Sequence, residues 1–174
     1  MVIRVELMES DPVGSDVTCH TIDIMVAITV ETELDAPPSV VWSDVRNIAT
    51  HVEWMHDAES IWFTSDEREG VGTTFECETK VGPIQLTDVM EITEWVDDET
   101  MGVRHSGVVT GVGAFSLSPL SGDRTLFRWA EELTFPWWLG GPLGEPIGSI
   151  ILKAIWKRNL ANLSSRFSAG SVVA

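Results

Sequence analysis

The sequence predicts an α+β fold in which helices cover one face of an antiparallel sheet. Seven segments show alternating apolar and polar residues, and the last six follow one another at hairpin spacing. Sequential hairpins indicate an antiparallel sheet. A long helix with a continuous apolar stripe is predicted near the C-terminus, and such a helix can bury one face of the sheet.

The first strand is predicted over residues 26–34, where apolar and polar residues alternate. Pro37 and Pro38 end the strand and open a short helix, because proline is favoured in a first helical turn. A second short helical piece is predicted over 47–54. The apolar side of the first helix consists of Val41, Trp42 and Val45.

Six further strands follow, separated by residues that favour turns. They are predicted over 59–65, 72–81, 84–95, 99–106, 111–118 and 124–135. The turn residues are Glu69-Gly70, Gly82-Pro83, Asp97-Asp98 and Ser121-Gly122-Asp123.

The last element is a long helix, predicted over about 145–168 after a Gly/Pro-rich passage. Its apolar residues recur at helical spacing and form one stripe. We expect the following residues to face the sheet: Leu152, Trp156, Leu160, Leu163 and Phe167.

The chain of 174 residues is long enough for one domain with a sizeable core. Residues 25–168 form the predicted domain, residues 1–24 a loose extension and residues 169–174 a flexible tail. The N-terminus has no secretory signal pattern, and two cysteines, Cys19 and Cys77, cannot form a disulfide framework. We therefore expect a cytoplasmic protein, either a monomer or a homodimer.

The chain is strongly acidic, with 27 acidic and 11 basic residues and a formal net charge of −16. Nucleic acids and anionic membranes bind basic patches, so neither is an expected partner, and membrane insertion is not expected. The basic residues cluster late in the chain. Folding should bring Lys153, Lys157, Arg158 and Arg166 of the last helix against the acidic sheet, and high salt should then weaken the docking of this helix.

Four polar residues fall on otherwise apolar inner faces: Asp88, His105, Glu131 and Asn159. A two-residue turn at Asp97-Asp98 would pair Met90 with His105, with Asp88 on the diagonal.

The neighbouring hairpins bring Glu131 towards His105. A three-residue turn centred on Gly122 would pair Gly113 with Glu131. If the next connection is centred on Val109, Gly113 also lies opposite His105. A glycine between two polar residues predicts a small hollow with a polar wall.

Three roles stay open for these polar residues. They can bind backbone groups or water, with a strand bulge turning some of them outward. They can orient a ligand. They can also act as acid and base, with His105, Glu131 and Asp88 as the catalytic candidates.

Other motifs are less specific. His51, His56 and Asp57 do not have the spacing of a standard metal site, so no metal is expected. Cys77 alternates with strand residues, which indicates a buried thiol and not a nucleophile. Trp137-Trp138 either closes the end of the core or forms an entrance for a flat apolar ligand.

Four segments resemble the START-like (SRPBCC) superfamily, in its polyketide cyclase/dehydrase-type branch. They are DAPPSVVWSDVRNIATHVEWMHDAESI (35–61), GVGTTFECETKVGPIQLTDVMEITEW (70–95), RWAEELTFPWWLGGPLG (128–144) and IWKRNLANL (155–163). The resemblance covers residues 25–168. It implies a helix-grip fold: a curved seven-stranded antiparallel sheet wrapped around the C-terminal helix, two short helices after the first strand, and an internal cavity.

The resemblance implies a protein that binds a small hydrophobic molecule, polyketide-like or lipid-like, without a cofactor. One alternative is a polyketide cyclase or dehydratase in which His105 or Glu131 moves a proton. Enzymes of this superfamily often use tyrosine or arginine in the pocket, and this chain has no tyrosine. Another alternative is a protein-interaction module. Besides the four polar residues, the expected cavity wall includes Phe75, Met90, Met101, Phe115, Trp129, Leu152 and Trp156.

Overall fold

A single antiparallel sheet carries the fold. The computed structural model describes residues 24–136 and 141–168, and within them seven strands lie in the order β1-β7-β6-β5-β4-β3-β2. The strands are β1 Ile24–Leu34, β2 Ala58–Phe63, β3 Thr74–Val81, β4 Ile84–Val96, β5 Thr100–Gly107, β6 Thr110–Leu120 and β7 Arg124–Phe135. The helices are α1 Pro38–Val45, a 3₁₀ helix Ile48–Glu53, and α2 Gly141–Arg166.

The predicted element order is confirmed, with small shifts at the ends. The second short helical piece is a 3₁₀ helix, and α2 begins at Gly141, four residues earlier than predicted. β3 begins at Thr74 and not at residue 72, because Gly70 and Gly72 both adopt positive φ angles that end the preceding turn. The expectations for residues 1–23, Trp137-Trp138 and 169–174 lie outside the described residues.

The β4–β5 hairpin has the predicted pairing of Met90 with His105, but it has a longer turn than predicted and a bulge. Val96 pairs with Thr100, so the connection has three residues, with Asp98 at a φ of 64°. A bulge between Ile92 and Glu94 then shifts the register by one residue, and Met90 lies opposite His105 as predicted.

The predicted register between β5 and β6 is wrong. Gly113 lies opposite Val103, and His105 lies opposite Gly111. The connection is centred on Val108 and not on Val109, which moves the pairing by two residues and keeps the same side chains on the inner face. The β6–β7 hairpin is as predicted, with Gly113 opposite Glu131.

The core lies between the inner face of the sheet and the helices. The predicted apolar sides of both helices are confirmed: Val41, Trp42 and Val45 of α1 and Trp156, Leu160 and Leu163 of α2 are buried. Leu152 and Phe167 of the α2 stripe are partly buried against the same core. This packing places α2 across the sheet and leaves a space between them.

One arginine holds the C-terminal end of α2. Arg166 donates to both oxygens of Asp44 in α1, at 2.7 and 2.8 Å, and to Glu53 of the 3₁₀ helix at 2.9 Å. Lys153, Lys157 and Arg158 are exposed, and no carboxylate in the described part of the chain pairs with them. The expected docking of these basic residues against the acidic sheet is therefore wrong: Lys153, Lys157 and Arg158 pair with no carboxylate of the described residues, and Arg166 binds acids of α1 and the 3₁₀ helix.

Candidate functional site

A cavity of about 450 Å³ lies between the sheet and α2. Its wall is predominantly apolar and is formed by residues of all seven strands, residues in and after the 3₁₀ helix, and residues of α2. Inward residues of all seven strands share this surface, because alternate side chains of a strand point to the same face of the sheet. The structure places all seven of the expected apolar wall residues on it: Phe75, Met90, Met101, Phe115, Trp129, Leu152 and Trp156.

Three polar side chains interrupt this apolar wall. Asp88, His105 and Glu131 are 7%, 8% and 6% exposed, so all three are buried, and all three line the cavity. They come from three different strands, β4, β5 and β7, with β6 passing between His105 and Glu131. We call Asp88, His105 and Glu131 the polar row.

Gly113 allows Glu131 to cross β6. A Cβ atom at Gly113 would lie 2.3 Å from the carboxyl carbon of Glu131, so the carboxylate occupies the space that any other residue would fill. From there Glu131 Oε2 reaches His105 Nε2 at 3.0 Å. The space that the sequence predicted as a hollow at this glycine is therefore filled by the Glu131 carboxylate.

The Glu131 carboxylate is also held from its own strand. Trp129 Nε1 donates to Glu131 Oε1 at 2.8 Å. The indole of Trp129 stacks on Trp156 of α2, with ring centroids 4.8 Å apart and planes at 19°. Packing between sheet and helix thus positions the acid that faces His105.

His105 lies between two acids. Burial alone lowers the pKa of an imidazole, but the Glu131 carboxylate and the charge of Asp88 outweigh it, so the pKa of His105 is raised above 6.5. The 3.0 Å contact with Glu131 is an ion pair when His105 is protonated, and it lacks the alignment of a hydrogen bond, so neither ring nitrogen has a hydrogen-bond partner among the described residues.

Asp88 has a backbone partner for one of its two oxygens. Burial raises its pKa, while the neighbouring His105 and a hydrogen bond from the Val109 amide act in the opposite direction. Asp88 Oδ1 has no hydrogen-bond partner within the described residues. Val109 was not identified from sequence, because the centre of the β5–β6 connection decides which amide reaches Asp88.

Asn159 lies apart from the polar row. It is fully buried, but its Nδ2 donates to Asp57 at 2.6 Å and its Oδ1 accepts from the His56 amide at 3.1 Å. Both ends of the amide thereby tie α2 to the segment that precedes β2. Asn159 is not on the cavity wall, so it does not belong to the site described here.

His51 lies on the cavity wall, a position that the sequence did not predict. Its Nε2 donates to the Val45 carbonyl at 2.7 Å, and burial lowers its pKa to about 4, so the ring is neutral at neutral pH. The sequence offers no signal for this placement because the 3₁₀ helix has no long apolar periodicity.

Other reactive or charged side chains of the sheet have simpler roles. Burial raises the pKa of the Cys77 thiol to about 11, which leaves it protonated at neutral pH. Arg104 pairs with Glu91 and Arg128 with Glu31 on the outer face, as cross-strand surface pairs. In residues 24–136 and 141–168, no three metal-ligating side chains form a group that could hold a metal ion.

A family model described as polyketide cyclase / dehydrase and lipid transport matches residues 25–168. The chain belongs to this family. The match covers the whole predicted domain, and the residues of the cavity wall and of the polar row all lie within it.

Solved structures share the family's START-like helix-grip fold at low sequence identity. A protein from Thermus thermophilus is 17% identical, with a TM-score of 0.73 over 84% of this chain and 99% of that one. The Zhui aromatase/cyclase from Streptomyces is 16% identical, with a TM-score of 0.63 over 86% and 100%. A START superfamily protein from Mycobacterium smegmatis is 14% identical, with a TM-score of 0.65 over 82% and 96%.

Two further findings concern sequence similarity and membrane-spanning helices. No curated protein is significantly similar to it in sequence. None of the helices in the described residues is both long and apolar enough to cross a membrane.

Proposed function

We propose that this family member binds a small hydrophobic molecule in the cavity between the sheet and α2. The observation that carries the proposal is an apolar cavity of about 450 Å³ with its polar groups gathered in one row. Ligand pockets of a few hundred Å³ with an apolar lining and a few polar groups are typical of small-molecule sites. The apolar wall supplies affinity, and the polar row orients the bound molecule.

Displacement of water from apolar wall residues is the main source of affinity. Burial of apolar surface contributes roughly 25 cal/mol per Å², so an aromatic or aliphatic ligand that fills the cavity gains several kcal/mol. The stacked pair Trp129 and Trp156 offers flat surface on one side of the cavity. This geometry favours ligands with rings or long chains over compact polar metabolites.

A neutral fluorescent reporter, N-phenyl-1-naphthylamine, tests the proposal directly. Leu86 lies on the wall, whereas Val89 of the same strand is on the outer face and 40% exposed. We expect saturable binding to the natural sequence, at least tenfold weaker binding to Leu86→Trp, which fills the cavity, and unchanged binding to Val89→Trp. Equal binding to all three proteins, or none to any, would contradict the proposal.

A second candidate function is proton transfer in a cyclase or dehydratase reaction. The close pair of His105 and Glu131 favours it, since an imidazolium can donate a proton while a carboxylate accepts one. In the dehydration of a β-hydroxyketone, the carboxylate would take the α-proton, the C=C bond would form, and the imidazolium would protonate the hydroxyl group that leaves as water. The similarity in fold to an aromatase/cyclase is consistent with this candidate.

Conversion of 4-hydroxy-4-phenylbutan-2-one to its enone distinguishes binding from catalysis. If the protein is an enzyme of this kind, the enone forms faster than in buffer, and His105→Ala and Glu131→Gln lose turnover while they retain affinity. If the protein only binds, no variant changes the rate of enone formation, and the same substitutions lower affinity alone.

A further inference from the structure

The cavity wall contains carboxylates but no lysine or arginine among the described residues. The carboxylates are those of Asp57, Asp88 and Glu131, which belong to the segment before β2, to β4 and to β7. Residues 137–148, which follow β7 in the sequence, contain no basic residue either. Within the described residues, a negatively charged ligand therefore finds no permanent positive charge on the wall.

The basic residues of the described chain lie elsewhere. Most of them pair with carboxylates outside the cavity: Arg46, Lys80, Arg104, Arg124, Arg128 and Arg166. Arg68 lies over the ring of Phe63, 4.5 Å from its centroid. Lys153, Lys157 and Arg158 are exposed on α2. None of these residues lines the cavity, so the absence of positive charge there does not reflect a lack of bases in the chain.

The two histidines of the wall supply no unpaired positive charge. His51 donates from Nε2 to the Val45 carbonyl, and burial lowers its pKa to about 4, so the ring is neutral at neutral pH. His105 Nε2 lies 3.0 Å from Glu131 Oε2. When His105 is protonated, this carboxylate compensates its charge, and when it is not protonated, it has no charge. In both states the wall lacks a free cation.

An anionic ligand would lose its hydration in this cavity without a compensating charge. Transfer of an ionised carboxylate from water to an apolar site is far more costly than transfer of an uncharged amide. Only a paired and hydrogen-bonded cation offsets that cost. In their ionised forms Asp57, Asp88 and Glu131 add repulsion to it. An uncharged group of the same size avoids both penalties.

We propose that the cavity excludes anions, so that its ligand is an apolar molecule without a carboxylate, phosphate or sulfate group. This inference rests on the proposed function, since it requires a ligand in the cavity. It adds the charge of the ligand to its chemical class. Free fatty acids and other anionic amphiphiles are excluded, whereas esters, amides, ketones and alcohols of the same carbon skeleton are admitted.

Two probes that differ in charge and hardly in size test the exclusion: naphthalene-2-carboxamide and naphthalene-2-carboxylate. Each is titrated at neutral pH against bound N-phenyl-1-naphthylamine, whose displacement gives relative affinities. We expect the carboxamide to bind the natural sequence about tenfold or more tightly than the carboxylate, because only the carboxylate gives up the hydration of a charge.

Ile84 and Val89 provide matched positions for an added positive charge. Both belong to β4 and both are 40% exposed, but Ile84 lines the cavity and Val89 lies on the outer face. Ile84→Arg and Val89→Arg change the net charge of the protein equally. We expect Ile84→Arg to reduce the preference for the carboxamide by about fivefold or more, and Val89→Arg to keep the preference of the natural sequence. Binding of the reporter to each variant shows that its cavity is intact.

The outcomes separate the inference from the proposed function. If the reporter binds but the carboxylate equals or exceeds the carboxamide in the natural sequence, the inference is wrong and the binding function stands. If both arginine variants have the same preference, the charge of the wall does not decide it, and the inference is wrong as well. If neither the reporter nor either probe binds, the proposed function and the inference both fail.

Discussion

Gly113 determines where the acid of the polar row lies. The Glu131 carboxyl group lies within 2.5 Å of the position that a Cβ at residue 113 would take, so Gly113→Ala must displace it. Because Glu131 raises the pKa of His105, this displacement should lower that pKa while every charge of the protein is kept. NMR titration of the His105 ring protons measures the shift.

Two comparisons make the Gly113 prediction specific. Glu131→Gln should lower the pKa of His105 in the same direction, because it removes the same charge. Glu91→Gln, on the outer face of β4, should leave the pKa of His105 unchanged. An unchanged His105 pKa in Gly113→Ala would show that the carboxylate does not depend on the glycine.

The two buried histidines should affect stability with opposite signs as pH changes. The pKa of His51 is lowered to about 4 in the folded protein. Its contribution to the free energy of unfolding is therefore present above pH 6.5 and is lost as the pH falls towards 4. The pKa of His105 is raised, so its contribution is present below 6.5 and is lost as the pH rises through the folded-state value.

Urea unfolding at several pH values measures these contributions. Between pH 7 and pH 5, His51 should account for a loss of about 2 kcal/mol in the free energy of unfolding, and His51→Leu should remove that loss. His105→Leu should instead reduce the loss of stability above pH 6.5. If the pH dependence of the free energy of unfolding changed in the same direction in both variants, the environments assigned to His51 and His105 would be wrong.

At the level of elements, Arg166 is the charged anchor of α2. Its two bonds to Asp44 are partly shielded from solvent, since the Asp44 side chain is 20% exposed, whereas Glu53 is 54% exposed. We expect Arg166→Leu to lower the free energy of unfolding by about 1–2 kcal/mol, more than an exposed ion pair contributes. Chemical denaturation of both proteins at low salt measures the difference.

Arg158 provides the matched control for Arg166. It lies on the same helix and is exposed, so Arg158→Leu should change the free energy of unfolding by less than about 0.5 kcal/mol. Equal losses in the two variants would mean that Arg166 acts through net charge and not through its contacts with Asp44 and Glu53.

Periodicity was sufficient to predict which side chains face inward, but not the register between neighbouring strands. Asp88, His105 and Glu131 were predicted on the inner face from alternation, and they lie there, because a shift of two residues keeps the face unchanged. The partner of Gly113 on β5 was predicted wrongly because the connection at 108–109 has no residue that dictates its centre. The bulge between Ile92 and Glu94 likewise has no sequence signal of its own.

Tertiary contacts explain the other differences from the sequence prediction. Asn159 occupies an inward position on α2 as expected, but its amide is bound by Asp57 and the His56 backbone. That interaction depends on how the segment before β2 meets the helix. Helical periodicity predicts the side of α2 on which Asn159 lies and carries no information about its partner.

At the scale of the whole molecule, the charge of −16 acts in two opposing ways. Salt screens repulsion among the acids, which stabilises the fold, and it screens the attraction between Arg166 and its acids, which destabilises it. Comparison of the natural sequence with Arg166→Leu separates these two effects of salt. We expect the melting temperature of the natural sequence to gain less from added salt than that of Arg166→Leu, and identical salt responses would contradict this.

The central claim is that an apolar molecule enters the cavity and contacts its wall. The indole N–H resonances of the tryptophans report this most directly, because Trp129 and Trp156 line the cavity while Trp62 is 52% exposed on β2. On titration with N-phenyl-1-naphthylamine, the resonances of Trp129 and Trp156 should shift saturably and that of Trp62 should stay in place. A shift of Trp62 with no change at Trp129 and Trp156 would contradict the claim.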